Sequence, residues 1–119
     1  MEKLLFGNLE FKPGINVTVR NGTKWLDKWK AWDGLRNIEI ADVEGVVVAK
    51  RELVGAVSTN FYNIRQEWLD LEHASNCRTL EDLYVNGMVP VYPGFEFNNV
   101  VTVLFFIVED YENGIPRFS

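Results

Sequence analysis

The chain has 119 residues, 47% of them hydrophobic and 13% aromatic, enough for one folded domain and too rich in apolar residues for a disordered segment. Its formal net charge of −5 disfavours sequence-independent binding to duplex DNA, whose phosphates would meet repulsion over most of the surface. The longest apolar run, Val100 to Val108, covers nine residues, about half of what a membrane helix needs, so no membrane partner is expected.

The opening Met-Glu-Lys-Leu-Leu-Phe-Gly lacks the basic start and longer apolar core of a signal peptide. A single cysteine, Cys77, excludes an internal disulfide framework and suits a reducing compartment, so a cytoplasmic location is expected. Leu4 to Phe11 reads as a strand or extended arm, interrupted at Gly7-Asn8. Asn16 to Arg20 alternates as a strand, with Ile15, Val17 and Val19 on a core face and Asn16, Thr18 and Arg20 on the other. Neighbours along that polar face stand about 7 Å apart. Together they offer an amide, a hydroxyl and a guanidinium to a planar polar ligand or a phosphate. Asn21-Gly22 reads as a tight turn, after which Lys24 and Trp25 add a charge and a stacking surface beside the row. From Lys12 to Trp32 there are five basic residues and one acidic, a local +4, while the rest of the chain carries −9. A small anionic ligand would be drawn to that patch.

Trp25, Trp29 and Trp32 recur at helical spacing between Lys24 and Asp33, and Gly34 would end that helix. Packing against the core is the reading for Trp29 and Trp32. Asn37 to Ala41 alternates as a strand, and Gly45 to Val57 supplies a longer one with Gly55 as a bulge. Ser58 or Thr59 is placed to cap a helix through Phe61, Ile64, Trp68 and Leu71, with Trp68 in the core. Thr79 opens a second helix with Glu81 and Asp82 in its first turn, and Asn86-Gly87 would close it. Tyr92-Pro93-Gly94-Phe95 reads as a turn, and Val100 to Val108, apolar except for Thr102, as a central strand. Glu109, Asp110 and Glu112 make a short acidic tail. With no repeat or linker, residues 1–119 form a single α+β domain: a small mixed β-barrel with two or three short helices packed on it.

His73 and Cys77, four residues apart, have the spacing of a two-ligand metal arrangement or of a nucleophilic pair on a helix. The chain holds one histidine and one cysteine, with no third orienting group in view, so a packing or capping role is favoured. No phosphate-binding loop, dinucleotide fingerprint or zinc motif is present, and neither a metal nor a cofactor is expected.

Several segments together carry a resemblance: Pro13-Gly14-Ile15-Asn16-Val17-Thr18-Val19-Arg20, then Gly22, Lys24 and Trp25, then Glu72-His73, Cys77-Arg78-Thr79, Tyr92-Pro93-Gly94-Phe95 and Val101-Thr102-Val103-Leu104-Phe105-Phe106. In their order and spacing, over about Gly7 to Glu109, the chain resembles the ASCH family of the PUA-like β-barrel superfamily. That resemblance implies a bacterial or phage setting and a ligand cleft beside the Thr18–Arg20 strand, with RNA or a modified nucleoside as ligand. Some relatives hydrolyse acylated cytidines with a lysine and a threonine on this strand and a glutamate from the helical part. Thr18 matches the threonine, but the lysine position is Ile15 and the glutamate region falls near Ser75 or Asn76. Lys24 and Glu72 are the residues near enough to substitute.

The expected function is therefore binding of RNA or a nucleotide-like small molecule through Asn16, Thr18, Arg20, Lys24 and Trp25, without catalysis. Arg20→Ala is expected to abolish binding and leave the melting temperature nearly unchanged. The enzymatic alternative is an amidohydrolase on acylated nucleosides using Thr18, Lys24 and Glu72. A third class is a phage or bacterial protein-interaction module whose acidic surface meets a protein partner.

Overall fold

Alternation and one apolar run build the sheet. The computed structural model describes residues 2–31 and 34–108. In it, strands β1 (Lys3–Leu5), β2 (Gly14–Asn21), β3 (Asn37–Ala41), β4 (Val47–Asn60) and β5 (Val100–Val108) join in the order β1-β3-β4-β5-β2. β1 runs parallel to β3 and the remaining neighbours are antiparallel, giving a curled mixed sheet, a half-barrel, with short helices against it. The domain is α+β, as the order of strands and helical segments implies. β5 is paired on both sides and buried on both faces. Val101 and Val103 point into a core with Phe61, Ile64, Leu69 and Leu83, while Leu104, Phe106 and Val108 point into a second core with Leu4, Phe6, Ile38 and Ile40.

Asn16 and Thr18 on the polar face of β2 are not solvated, and Arg20 is half-buried, although alternation alone suggests an open face. Residues directly opposite in an antiparallel pair share a face. Asn16 lies opposite Phe106, Thr18 opposite Leu104 and Arg20 opposite Thr102, so the polar row faces the second core. The segment after β1 and the start of the helical region cover that face. The Phe6 and Phe11 rings lie 6.0 and 5.9 Å from Phe106, and Phe11 stacks on His73 at 5.3 Å. Asn16 is accordingly 0% exposed and Thr18 3%.

Helix α1 spans Lys24–Lys30, with Trp25 buried and Trp29 packed against the second core; Trp32, Asp33 and the acidic tail lie outside the described residues. The bulge in β4 falls between Leu53 and Gly55, where the bare glycine lets the Phe105 ring lie against the strand. The helix expected from Ser58 or Thr59 is absent. Ser58, Thr59 and Asn60 extend β4 opposite Thr102, Val101 and Val100, so their backbone groups belong to the ladder. A 3₁₀ turn at Phe61–Asn63 and the single-turn α2 (Gln66–Leu69) follow. Trp68 is half-buried, edge-on to Phe105 at 6.0 Å, and sits at the rim of the core.

Helix α3 (Leu80–Asp82) begins as its sequence predicts, with Thr79 Oγ1 accepting the Asp82 N–H at 3.1 Å. It does not stop at Asn86-Gly87 but continues as a π-helical segment, Leu83–Met88. A Cβ on Gly87 would stand 2.9 Å from Leu83 Cδ1 and 3.4 Å from Cys77 Sγ, so this glycine serves close packing instead of termination. Tyr92–Phe95 is a type II turn, with Gly94 at φ +78° and the Phe95 N–H on the Tyr92 carbonyl at 3.0 Å. Among the described residues no helix is long and apolar enough to cross a membrane.

Candidate functional site

Curling leaves β1 and β2 as the two edges of the sheet, and Arg20 spans the gap between them. Its Nη1 donates to the Leu5 carbonyl at 2.8 Å, its Nε donates to Thr18 Oγ1 at 3.2 Å, and its guanidinium carbon lies 4.6 Å from the Phe6 ring centre. Arg20 therefore ties the two edges together as well as presenting a charge, so its removal is expected to cost stability, where the sequence alone suggested a nearly unchanged melting temperature. Farther down β2, the Val17 N–H donates to the Leu71 carbonyl at 2.8 Å and the Val17 carbonyl accepts the His73 N–H at 3.0 Å. Between these two closures opens a cleft of about 450 Å³, walled by both sheet edges, the segment from Glu72 to Cys77, and the chain from Leu83 to Tyr92.

Glu72 is the main anionic group in the cleft and is 2% exposed. Its Oε2 accepts the Ala74 N–H at 2.8 Å and Nδ1 of His73 at 2.9 Å. His73 Nδ1 also lies 3.2 Å from the Val17 carbonyl. Both neighbours of Nδ1 are acceptors, so this nitrogen carries the proton. Glu72 Oε1 receives no hydrogen bond from the described residues. Burial pushes the Arg20 guanidinium below its ordinary pKa, while the Tyr92 hydroxyl and the Glu72 carboxylate oppose that shift. The side chain stays charged at neutral pH. Arg20 and Glu72 thus face the same cleft, feel each other's field, and form no ion pair.

Cys77 also lines the cleft. Burial, then the negative charges of Glu72 and Asp82, push its thiol up to about 11, and Sγ donates to Asn76 Oδ1 at 3.4 Å. A thiol held protonated in this way is a poor nucleophile and a poor metal ligand. His73 and Cys77 do not share a helix, since Ala74 is extended and Ser75–Cys77 is a 3₁₀ turn.

Of the residues singled out in the sequence, Thr18, Arg20 and Glu72 meet in the cleft, and Asn16, Lys24 and Trp25 do not. Asn16 is fully used by the turn leading into β2. Its Nδ2 donates to the carbonyls of Lys12 at 2.7 Å and Gly14 at 3.2 Å, and its Oδ1 accepts the Lys12 N–H at 3.2 Å. The bend after Asn21 carries α1 away from the cleft, so Trp25 packs into the second core and the exposed Lys24 lies with Nζ 5.1 Å from the Trp25 ring. His73 and Tyr92, assigned by sequence to packing and to a turn, both line the cleft. Only the long-range pairing of Val17 with Glu72 brings that segment to β2, and no local pattern carries that information. No family model, no curated protein and no solved structure matches the chain.

Proposed function

We propose that the chain binds RNA or a nucleotide-like small molecule in the cleft beside Thr18 and Arg20, without turning it over, as a cytoplasmic domain of the ASCH, PUA-like type. One observation carries this reading: the buried Glu72 carboxylate and the half-buried Arg20 guanidinium line one cleft of about 450 Å³ and form no ion pair with each other. His73 and Ala74 bond only one oxygen of Glu72, and a buried carboxylate left partly unsatisfied is costly, an arrangement that concentrates where a ligand completes it. The cleft volume falls in the range of small-molecule sites. Phe6, Leu83 and Met88 add apolar walls against which a base can lie.

The amidohydrolase reading keeps Thr18 and Glu72, which do share the cleft, but it lacks an amine there. Ile15 occupies the lysine position and Lys24 lies outside. Calorimetric titration with short single-stranded RNAs and free nucleosides tests the binding proposal. Saturable binding is expected, weakened about tenfold or more in Arg20→Lys, which cannot hold Leu5 and Thr18 while also meeting a ligand. A folded protein that binds none of these, and returns a stoichiometric protein partner from a bacterial lysate, refutes it in favour of an interaction module.

A further inference from the structure

β2 loses its outer partner part-way along its length. In a regular antiparallel ladder, every second residue of an edge strand turns its N–H and C=O away from its neighbour. Val17 does so, and both groups are satisfied, by Leu71 and by His73. The β2–β5 register runs without a shift from Gly14 to Asn21, and the Gly22 N–H returns to the Val100 carbonyl at 2.8 Å. Even-numbered residues therefore face β5, and Val19 faces outward as Val17 does. The Val19 N–H and C=O have no partner among the described residues, yet Val19 is 6% exposed and lines the cleft. Buried main-chain groups are almost always paired. Here an orphaned donor and acceptor stand in the same cleft as Glu72 Oε1, a buried carboxylate oxygen with no donor.

The opening does not suit an added strand. Leu71 and His73 close it at Val17, and Arg20 closes it by reaching the Leu5 carbonyl at 2.8 Å. One outward-facing residue remains, whereas strand addition pairs alternate residues along several positions. A small planar group fits that length. Its chemistry follows from what is unpaired. The Val19 carbonyl and the Glu72 carboxylate both accept, so the ligand must donate at least two hydrogens, and the Val19 N–H requires an acceptor nearby. The charges of Arg20 and Glu72 offset each other, and Arg20 already commits Nε and Nη1 to Thr18 and Leu5, which leaves a poor phosphate clamp.

We infer that the Val19 main chain, together with Glu72 Oε1, reads the hydrogen-bonding edge of a neutral, amino-bearing nucleobase, and that any phosphate on the ligand stays outside the cleft. This rests on the binding function proposed above and specifies what that function selects. Uracil, with one N–H and no amino group on its free edge, is disfavoured.

The test is an NMR titration of ¹⁵N-labelled protein with adenosine, cytidine, guanosine, uridine and their 5′-monophosphates. At least one amino-bearing nucleoside is expected to shift the Val19 amide and slow its hydrogen exchange about tenfold. Uridine is expected to bind about tenfold more weakly, and a 5′-phosphate to change affinity less than about threefold. Binding of the monophosphates alone, or binding that leaves the Val19 amide unmoved, overturns this inference while leaving the cleft a ligand site. No response to any of the eight compounds or to short RNA overturns both.

Discussion

Replacing Arg20 with alanine separates two roles that the sequence merges. The guanidinium donates to the Leu5 carbonyl at 2.8 Å, and a hydrogen bond from a charged donor contributes about 1.5–3 kcal/mol. Its position 4.6 Å from the Phe6 ring adds about 0.5–1 kcal/mol, and the 3.2 Å bond to Thr18 adds less. Relief of the guanidinium's desolvation offsets part of this, leaving a net loss of about 1–3 kcal/mol. For a domain of this size, each kcal/mol moves the midpoint by about 4 °C, so a fall of about 4–12 °C is expected. The loss should be local first, because β1 has three residues and one neighbour, β3. The amides of Phe6 and Glu39, bonded to Ala41 and Glu2 at 2.9 Å each, should lose exchange protection before those of β5. Circular dichroism melts and hydrogen exchange on Arg20→Ala measure both effects. A midpoint unchanged within a degree, with Phe6 and Glu39 still protected, would show that Arg20 does not hold the sheet edges together.

Asn16→Ala should destabilise the protein by about 2–4 kcal/mol in urea denaturation, since it strips the partners of Lys12 and Gly14 near a buried strand, and should leave ligand affinity within twofold. Cys77 should react with iodoacetamide at pH 8 far more slowly in the native protein than in urea, because burial pushes its folded thiol up to about 11. The linkage sign follows from the same shift. The folded state holds the Cys77 proton more tightly than the unfolded state, so its contribution is intact below the ordinary thiol range and is lost as pH rises toward about 11. Urea midpoints measured across that window should fall in the native protein, and the fall should be smaller in Cys77→Ser.

The strands were legible where their patterns are local. β3 and β5 lie at the residues that alternation and an apolar run mark out, and Thr79 caps the helix it precedes. The Phe61, Ile64, Trp68 and Leu71 spacing imitates a helix, but a 3₁₀ turn, an extended residue at Ile64 and one turn of α2 produce it piecewise. A hydroxyl at Ser58 or Thr59 looks like a cap to any local reading, and only pairing with Thr102 and Val101 shows that it belongs to a strand. Alternation put Thr18 and Arg20 on one face of a strand, and the cleft beside them was expected from the local basic patch and the family resemblance, since alternation alone suits a solvated face. Lys24 and Trp25 were drawn to them by nearness in sequence, which the bend after Asn21 cancels. The arrival of Glu72, His73 and Tyr92 depends on how far the sheet curls, a property of the whole domain.

That curl also explains how a polar row can face a core. The sheet does not close by hydrogen-bonding β1 to β2, so the seam must be bridged in another way. Asn16 ties the turn before β2, the Leu71–His73 segment pairs with Val17, and Arg20 reaches the Leu5 carbonyl across the gap. Each polar group on the seam thus replaces part of a ladder that a sixth strand would have supplied, which makes their burial tolerable. Among the described residues the replacement is incomplete at one buried position, Val19, which falls between two closures and is reached by neither. A barrel sealed by side chains instead of by strand pairing therefore leaves its gap where the spacing of those side chains skips a main-chain pair. Here that gap opens into the cleft that also holds Thr18, Arg20 and Glu72.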